Sequence, residues 1–241
     1  MNLREWCEKY LEIYKKPFVT FSTYEMYFFA LKHIPAIELK DLDITDLQLM
    51  INRMISKQYA VSTIKHVKIL VSQALHRAKT LGYIQNIDLS LLDMPKSKKT
   101  HIRAFTEEEQ LKIIDNAHYS HYGDLFLVLL YTGCRVGELI ALEWSDVDFR
   151  RCFVDIKKTD CRGHVGTPKS DSSIRSVPMS EECYKIFREN FRLGYSGRVF
   201  RNTFGLPINY RSLLDAWKRL LNVLDIQTCG MHVLRHPYVK L

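Results

Sequence analysis

The segment Tyr131-Thr132-Gly133-Cys134-Arg135-Val136-Gly137-Glu138-Leu139 decides how the second half of this chain is interpreted. The apolar run Leu125 to Tyr131 predicts a helix that ends at the Thr-Gly pair, and Val136 to Leu142 predicts a second helix. Arg135 lies at the start of that second helix, where backbone amides and the helix dipole favour an anion. Two roles fit this spacing. Arg135 either clamps a phosphate or caps the helix and pairs with Glu138.

A second segment, His232-Val233-Leu234-Arg235-His236, follows about a hundred residues later. Its two histidines and its arginine fall at i, i+3 and i+4, so they are predicted to share one face of a helix. Guanidinium binds two phosphate oxygens and imidazole moves a proton near neutral pH, which suits a phosphodiester. The two histidines could also bind zinc. No helix-borne glutamate lies between them and no third ligand is evident, so we expect no metal.

The net charge of +8 over 241 residues favours a polyanionic partner, and double-stranded DNA is the one we expect. Between Arg150 and Leu220 there are 15 Lys and Arg against seven Asp and Glu. This excess equals the net charge of the whole chain, so we expect the segment to line a DNA face. Cations that only solvate the surface are the alternative.

Targeting and redox signals point to a cytoplasmic protein. The longest strongly apolar stretch, Leu125 to Tyr131, is too short to span a bilayer, and the N-terminus has no signal-peptide pattern, so no membrane partner is expected. The six cysteines form no Cys-x-x-Cys pair, which argues against a disulfide framework or a zinc ribbon. We expect reduced, structural thiols.

Residues 1 to 92 predict a helical domain. Asp46 to Ile55 places apolar residues at helical spacing behind Thr45 as the cap, and Ser62 to Leu81 does so more strongly, with Gly82 ending the helix. Leu3 to Tyr14 and Ser22 to His33 complete a four-helix domain. The buried positions expected in the two clearest helices are Leu47, Met50, Ile51, Met54, Ile64, Val67, Val71, Ala74, Leu75 and Ala78.

Residues 93 to 103, with a proline and a run of cations, predict a basic linker that either follows a DNA backbone or is only a solvated tether. A second domain, residues 104 to 241, then opens at a capping box formed by Thr106 and Glu109. Its further elements are predicted as two strands joined by a polar loop, and then two helices. The strands are Cys152 to Ile156 and Ile174 to Pro178, the loop is Lys157 to Ser173, and the helices are Glu181 to Phe191 and Tyr210 to Leu224.

Lys169 lies in the turn-rich stretch Gly166-Thr167-Pro168-Lys169-Ser170, opposite Arg175. From a hairpin tip its ammonium could reach into a groove and protonate a departing alkoxide. Most lysines in loops are only solvated, and that interpretation stays open for Lys169.

Taken together, Thr132-Gly133-x-Arg135-x-x-Glu138-Leu139, Lys169 and His232-x-Leu234-Arg235-His236 resemble the tyrosine recombinases of the phage integrase family. The resemblance covers nearly the whole chain. It implies a mainly α fold with a small antiparallel β-sheet, in a two-domain DNA clamp built from a helical core-binding domain and a catalytic domain. It also implies a site-specific recombinase of a mobile element that cleaves and rejoins duplex DNA, with possible self-association on DNA.

Residue roles also follow from the resemblance. Arg135 and Arg235 would hold the non-bridging oxygens of the scissile phosphate, His232 would assist proton transfer, and Lys169 would be the general acid toward the leaving 5′-oxygen. Glu138 and His236 would support the site. A tyrosine would attack to give a 3′-phosphotyrosyl link, with no cofactor and no metal.

The sequence departs from the family after Arg235. The Leu-Gly-His segment and the tyrosine that follow in the family are missing from the five residues after His236, and Tyr238 lies too close to Arg235 for in-line attack. We therefore expect a form shortened before its nucleophile, which binds a recombination site without cutting it. The alternatives are a non-catalytic DNA-binding remnant or regulator that occupies such sites, and a helical protein with a chance basic surface.

Overall fold

The chain divides into two units, Met1–Thr100 and His101–Leu241. The computed structural model describes residues 1–96, 103–166, 174–192 and 196–235, with only the backbone described at Arg192. Domain limits at residues 92 and 104 stay a prediction. Within the described ranges, no helix has the length and apolar character that crossing a membrane requires.

The described residues of the first unit form four α-helices, as the sequence predicts. They are α1 (Leu3–Tyr10), α2 (Phe21–Ala30), α3 (Ile44–Ser56) and α4 (Val61–Thr80). Helix α1 continues as a π-helical segment, Leu11–Lys15, and α2 continues as a 3₁₀ segment, Leu31–His33. The four helices share one apolar core, in which the buried Trp6 donates its indole N–H to the carbonyl of Ala74 at 2.8 Å.

The start of α3 differs from the prediction. Thr45 is not the cap, because the helix begins one residue before it and Asp43 occupies the capping position. The carboxylate of Asp43 accepts the N–H of Asp46 at 2.9 Å, and the carboxylate of Asp46 accepts the N–H of Asp43 at 3.1 Å. This reciprocal pair satisfies two free amides at once, which a cap at Thr45 would not do. The predicted buried residues of α3 and α4 are all confirmed, and Leu70 joins them.

The second unit contains five α-helices among its described residues. They are α5 (Glu107–Asn116), α6 (Gly123–Thr132), α7 (Val136–Ala141), α8 (Glu181–Arg192) and α9 (Tyr210–Val223). The predicted capping box of α5 is confirmed, with Thr106 accepting the N–H of Glu109 and Glu109 accepting the N–H of Thr106. Trp217 of α9 and Phe126 of α6 lie fully buried in this unit's core, with ring centroids 5.0 Å apart.

Among its described residues, the second unit has two small antiparallel sheets instead of the one that the sequence predicts. Strands β1 (Val147–Asp148), β2 (Phe153–Ile156) and β5 (Arg175–Pro178) form the first, with β2 in the middle. Strands β3 (Thr159–Cys161) and β4 (His164–Gly166) form the second. The mainly α fold with a small antiparallel sheet is confirmed.

The prediction of a plain polar loop over Lys157 to Ser173 is therefore wrong, because β3 and β4 lie within it. All three residues of β4 are exposed, so the hairpin lacks the apolar alternation that marks a half-buried strand. Its turn residues, Arg162 and Gly163, have φ of 55° and 87°. Positive φ at both central residues is typical of the tight turns that match the twist of a hairpin.

Candidate phosphate-binding site

The junction between α6 and α7 is fixed by local hydrogen bonds. Gly133 ends α6 with φ +60°, and its N–H donates to the carbonyl of Leu129. The hydroxyl of Thr132 donates to the carbonyl of Val128 at 2.5 Å and accepts the N–H of Cys134 at 3.3 Å. Glycine adopts this left-handed conformation more readily than other residues do. The Thr-Gly pair therefore sets the turn that brings Arg135 to the start of α7.

Glu138 lies in the first turn of α7, and its carboxylate is the centre of the site. Its side chain is 1% exposed and accepts four hydrogen bonds. Oε1 accepts from Nη1 of Arg135 at 2.8 Å and from Nη1 of Arg175 at 3.2 Å. Oε2 accepts from the backbone N–H of Arg135 at 2.7 Å and from Nη2 of Arg175 at 2.9 Å. The capping and pairing role that the sequence left open for Arg135 is thus present.

These contacts keep Glu138 ionised although it is buried. Burial alone would raise the pKa of Glu138, but hydrogen bonds from Arg175 and from the backbone and side chain of Arg135 outweigh it. The net effect is a pKa below the usual value of a glutamate. The pKa of Arg175 is raised, chiefly by its hydrogen bond to Glu138.

Arg235 reaches the same junction from the 3₁₀ turn Met231–Arg235, since its Nε donates to the carbonyl of Gly133 at 2.7 Å. Met231, Val233 and Leu234 of this turn are buried, while His232 is exposed. The α-helix predicted for this segment is wrong, because the described residues form only a 3₁₀ turn. With three residues per turn, His232 and Arg235 still lie on the same side of it.

Three of the predicted residues lie at the α6–α7 junction: Arg135 and Glu138 contact each other, and Arg235 contacts the carbonyl of Gly133. The predicted residues Lys169, His236 and Tyr238 lie outside the described residues. Arg175 joins the site, although its position in the sequence predicts no role for it. The signal for it was alternation along β5, where Arg175 and the buried Val177 face the same side.

The cluster carries a net positive charge. Arg135, Arg175 and Arg235 against the single carboxylate of Glu138 leave two positive charges around the α6–α7 junction. The side chain of Arg135 is 49% exposed, so its guanidinium is accessible from solvent. A half-exposed guanidinium beside a helix start is a favourable binding site for a phosphate group.

Some other cations of the basic segment are held in ion pairs. Lys157 contacts Asp155 at 3.0 Å and Lys158 contacts Glu143 at 2.8 Å. Glu143 lies outside the segment Arg150 to Leu220 and was not subtracted in the count, so the excess of Lys and Arg overstates the charge that is available to a partner. That this segment lines a DNA face stays a prediction.

The β3–β4 hairpin is attached to α7 beside the arginine cluster. A Cβ on Gly137 would lie 2.7 Å from the carbonyl oxygen of Asp160 and 2.8 Å from Oγ1 of Thr159, so only glycine allows this approach. Asp160 is itself fixed, because Oδ2 accepts from Nη1 of Arg198 and Oδ1 accepts the N–H of Gly163, both at 2.7 Å. The β3–β4 hairpin thus packs at a defined position on α7, the helix that carries Glu138.

No group of three or more His, Cys, Asp or Glu side chains among the described residues has an arrangement that could hold a metal ion. The zinc interpretation of the two histidines involves His236 and so lies outside the described residues.

A family comparison matches the second unit. Residues 103–239 match the model of the phage integrase family. The match includes the α6–α7 junction, both sheets and the 3₁₀ turn, and it therefore covers every residue that we place in the site.

Curated relatives are similar over most of the chain. A XerC-like tyrosine recombinase of Caldanaerobacter subterraneus subsp. tengcongensis is 26% identical, over 98% of this chain and 70% of its own length. The transposase of transposon Tn916 from Enterococcus faecalis is 30% identical, over 77% of this chain. The alignment spans about half of that transposase, 53% of its length.

Solved structures show the same fold. An integrase of transposon Tn1549 in complex with circular-intermediate DNA has a TM-score of 0.84 at 19% identity, over 98% of this chain and 85% of that one. A lambda integrase dimer bound to a core site has a TM-score of 0.79 at 18% identity, over 98% of this chain and 87% of that one.

Proposed function

The chain belongs to the phage integrase family, and on that premise we propose that it is a site-specific DNA recombinase of a mobile element. Its reaction cleaves and rejoins duplex DNA through a 3′-phosphotyrosyl intermediate. The observation that carries the proposal is the α6–α7 junction, where Arg135 donates to the buried Glu138 and Arg235 donates to the carbonyl of Gly133.

The two arginines supply the electrostatic part of the reaction. A phosphodiester carries one negative charge, and more charge builds on its non-bridging oxygens when a fifth oxygen adds to phosphorus. Guanidinium groups that are fixed before the substrate binds stabilise that charge without reorganising. Arg135 is held by Glu138, and Arg235 is held by the carbonyl of Gly133. Both are therefore oriented by the fold itself.

Proton transfer falls to His232 and Lys169. The attacking tyrosine must lose a proton, and the leaving 5′-oxygen must gain one. An exposed imidazole on the same side of the turn as Arg235 suits the first transfer, and an ammonium suits the second. These two roles come from the family resemblance together with the chemistry of the side chains.

The nucleophile is not assigned. Among the described residues, no hydrogen bond joins a tyrosine hydroxyl to Arg135, Glu138 or Arg235. For a polypeptide of these 241 residues we propose binding of a recombination site without cleavage. Self-association on DNA is part of the proposal, since lambda integrase structures of this fold include a dimer on a core site and a tetramer on a Holliday junction.

Trapping with a nicked duplex tests the proposal. Cleavage of such a substrate releases a short fragment, so that a covalent protein–DNA adduct accumulates and is seen on a denaturing gel. We expect the 241-residue chain to retard the duplex in a native gel and to form no adduct. An adduct that Tyr238→Phe abolishes would place the nucleophile at Tyr238 and contradict the non-cleaving part.

A non-catalytic DNA-binding protein is the alternative. The trapping assay is therefore repeated with the chain fused to the C-terminal segment of the Tn1549 integrase, which contains the tyrosine that is changed to phenylalanine in one of that protein's complexes with transposon-end DNA. Adduct formation by this fusion, and its loss in Arg135→Ala, would support a recombinase site. DNA binding without an adduct in the fusion would favour the alternative.

A further inference from the structure

Arg175 of β5 is the second arginine that binds Glu138, and the proposed reaction assigns it no role. Its Nη1 and Nη2 contact Oε1 and Oε2 at 3.2 and 2.9 Å, so that its planar guanidinium meets both oxygens of the carboxylate. The same Nη2 lies 3.7 Å from Sγ of the buried Cys134. Such two-point contacts fix the orientation of both partners, which a single hydrogen bond does not do.

The same carboxylate also orients Arg135. Each Glu138 oxygen accepts one hydrogen bond from Arg175 and one from Arg135, through Nη1 at Oε1 and through the backbone N–H at Oε2. Arg175 therefore acts on Arg135 through one buried group. Any movement of that carboxylate changes both contacts of Arg135.

The exposure of the three side chains suggests a division of roles. Glu138 is 1% exposed and Arg175 is 30% exposed, whereas Arg135 is 49% exposed. The inner arginine offsets the buried carboxylate, and the outer arginine faces solvent. With Arg135 as its one arginine partner, Glu138 would form a neutral pair with weak attraction for an anion. With Arg175 present, the three groups keep one positive charge, and the exposed guanidinium is the group able to use it.

We propose that Arg175 is a positioning residue for phosphate binding: through the carboxylate that both arginines share, it holds Glu138 in place and leaves the charge of Arg135 for the scissile phosphate. This inference rests on the proposed function. It requires no contact between Arg175 and DNA.

The test measures how strongly the protein distinguishes a charged phosphate from a neutral one. The probe is a duplex selected from a random-sequence pool by binding to the 241-residue chain. Each phosphate in the centre of its footprint is replaced in turn by an uncharged methylphosphonate. At the phosphate held by Arg135 we expect the replacement to weaken binding by roughly 10- to 100-fold, the range for a hydrogen bond between charged groups.

Arg175→Ala is expected to bind the unmodified duplex and to lose most of that discrimination, down to about threefold or less. Arg175→Lys restores the charge but not the two-point contact, so it should lie between Arg175→Ala and the unchanged protein. The matched control is Arg103→Ala. Arg103 is similar to Arg175 in being 32% exposed and in binding a carboxylate, that of Glu109. Because it is not part of the arginine cluster, its loss should weaken binding of the charged and the neutral duplex equally.

The possible outcomes distinguish the positioning role of Arg175 from the proposed function. If Arg175→Ala distinguishes the charged from the neutral phosphate as strongly as the unchanged protein does, the positioning role is overturned and the proposed function stands. Absence of any phosphate at which the unchanged protein discriminates would contradict the proposed function itself. If Arg175→Ala does not fold, Arg175→Lys decides, since discrimination equal to that of the unchanged protein would overturn the role and reduced discrimination would support it.

Discussion

Glu138 lies buried between Arg135 and Arg175, and its carboxylate accepts four hydrogen bonds. An isolated buried charge is strongly unfavourable, so both arginines stabilise the ionised acid while the acid orients them. Glu138, to which the family resemblance assigns a supporting role, is thus the group that both neighbouring arginines bind.

Glu138→Gln should lower the free energy of unfolding at neutral pH by about 3 kcal/mol, because it leaves two arginines facing an uncharged amide. The difference from the unchanged protein should depend on pH. A carboxyl whose pKa is lower in the folded state stabilises the fold above its unfolded value, and that contribution is lost as the pH falls through its folded pKa. Urea denaturation of both proteins at several pH values checks this.

The difference between the two proteins should be constant above the ordinary glutamate pKa of 4.5 and should shrink below it. Other carboxyl groups titrate in the same range, but they do so in both proteins and cancel in the difference. A difference that grows on acidification would contradict the assignment of Glu138 as an ionised, stabilising group.

At the scale of elements, the site depends on two glycines that are required for different reasons. Gly133 has a left-handed φ of +60°, and a Cβ at this position would have no atom within 4 Å, so its constraint is purely conformational. Gly137 lies inside α7, and its constraint is the close approach of β3. One glycine sets the turn between two helices, and the other attaches a hairpin to the second helix.

We expect Gly133→Ala to destabilise the protein by about 1 kcal/mol, the usual penalty for a side chain at positive φ. Gly137→Ala should destabilise it more, by about 2–3 kcal/mol, although alanine favours a helix, because its Cβ would overlap the backbone of Asp160. Thermal or urea unfolding of the two variants gives the order. A Gly137→Ala variant as stable as the unchanged protein would contradict the close contact between α7 and β3.

The sequence predicted those helices and caps that are defined by patterns within short stretches of the chain. The buried face of α3 and the capping box at Thr106 were found because periodicity and caps are properties of short stretches. The β3–β4 hairpin was missed because its outer strand is fully exposed and carries no apolar alternation. Arg175 was missed as a site residue because its partner, Glu138, lies 37 positions earlier, and only the packed structure brings them together.

At the scale of the whole molecule, each unit has its own apolar core. Among the described residues, the core of the first unit comprises 23 buried residues, from Leu3 to Leu92, and that of the second begins at Phe105. A unit with a separate core can fold without the other. We therefore expect a fragment of residues 1–96 to unfold cooperatively by itself.

Trp6 is a convenient probe for this fragment, because the other two tryptophans of the chain, Trp144 and Trp217, lie in the second unit. Its indole is buried and bonded to the carbonyl of Ala74, so its fluorescence should change in one sigmoidal step with urea. A gradual change without a transition would show that the first unit requires the second.

The central claim is that the arginine cluster at the α6–α7 junction binds a DNA phosphate. The most direct measurement is duplex affinity as a function of salt, by fluorescence anisotropy, for the unchanged chain and for the double variant Arg135→Ala/Arg235→Ala. We predict that the logarithm of the binding constant falls linearly with the logarithm of salt concentration, and that the double variant binds more weakly with a slope shallower by about 0.9, as expected for the loss of one phosphate contact. Binding that is absent or insensitive to salt, or a double variant with unchanged affinity and slope, would contradict the claim.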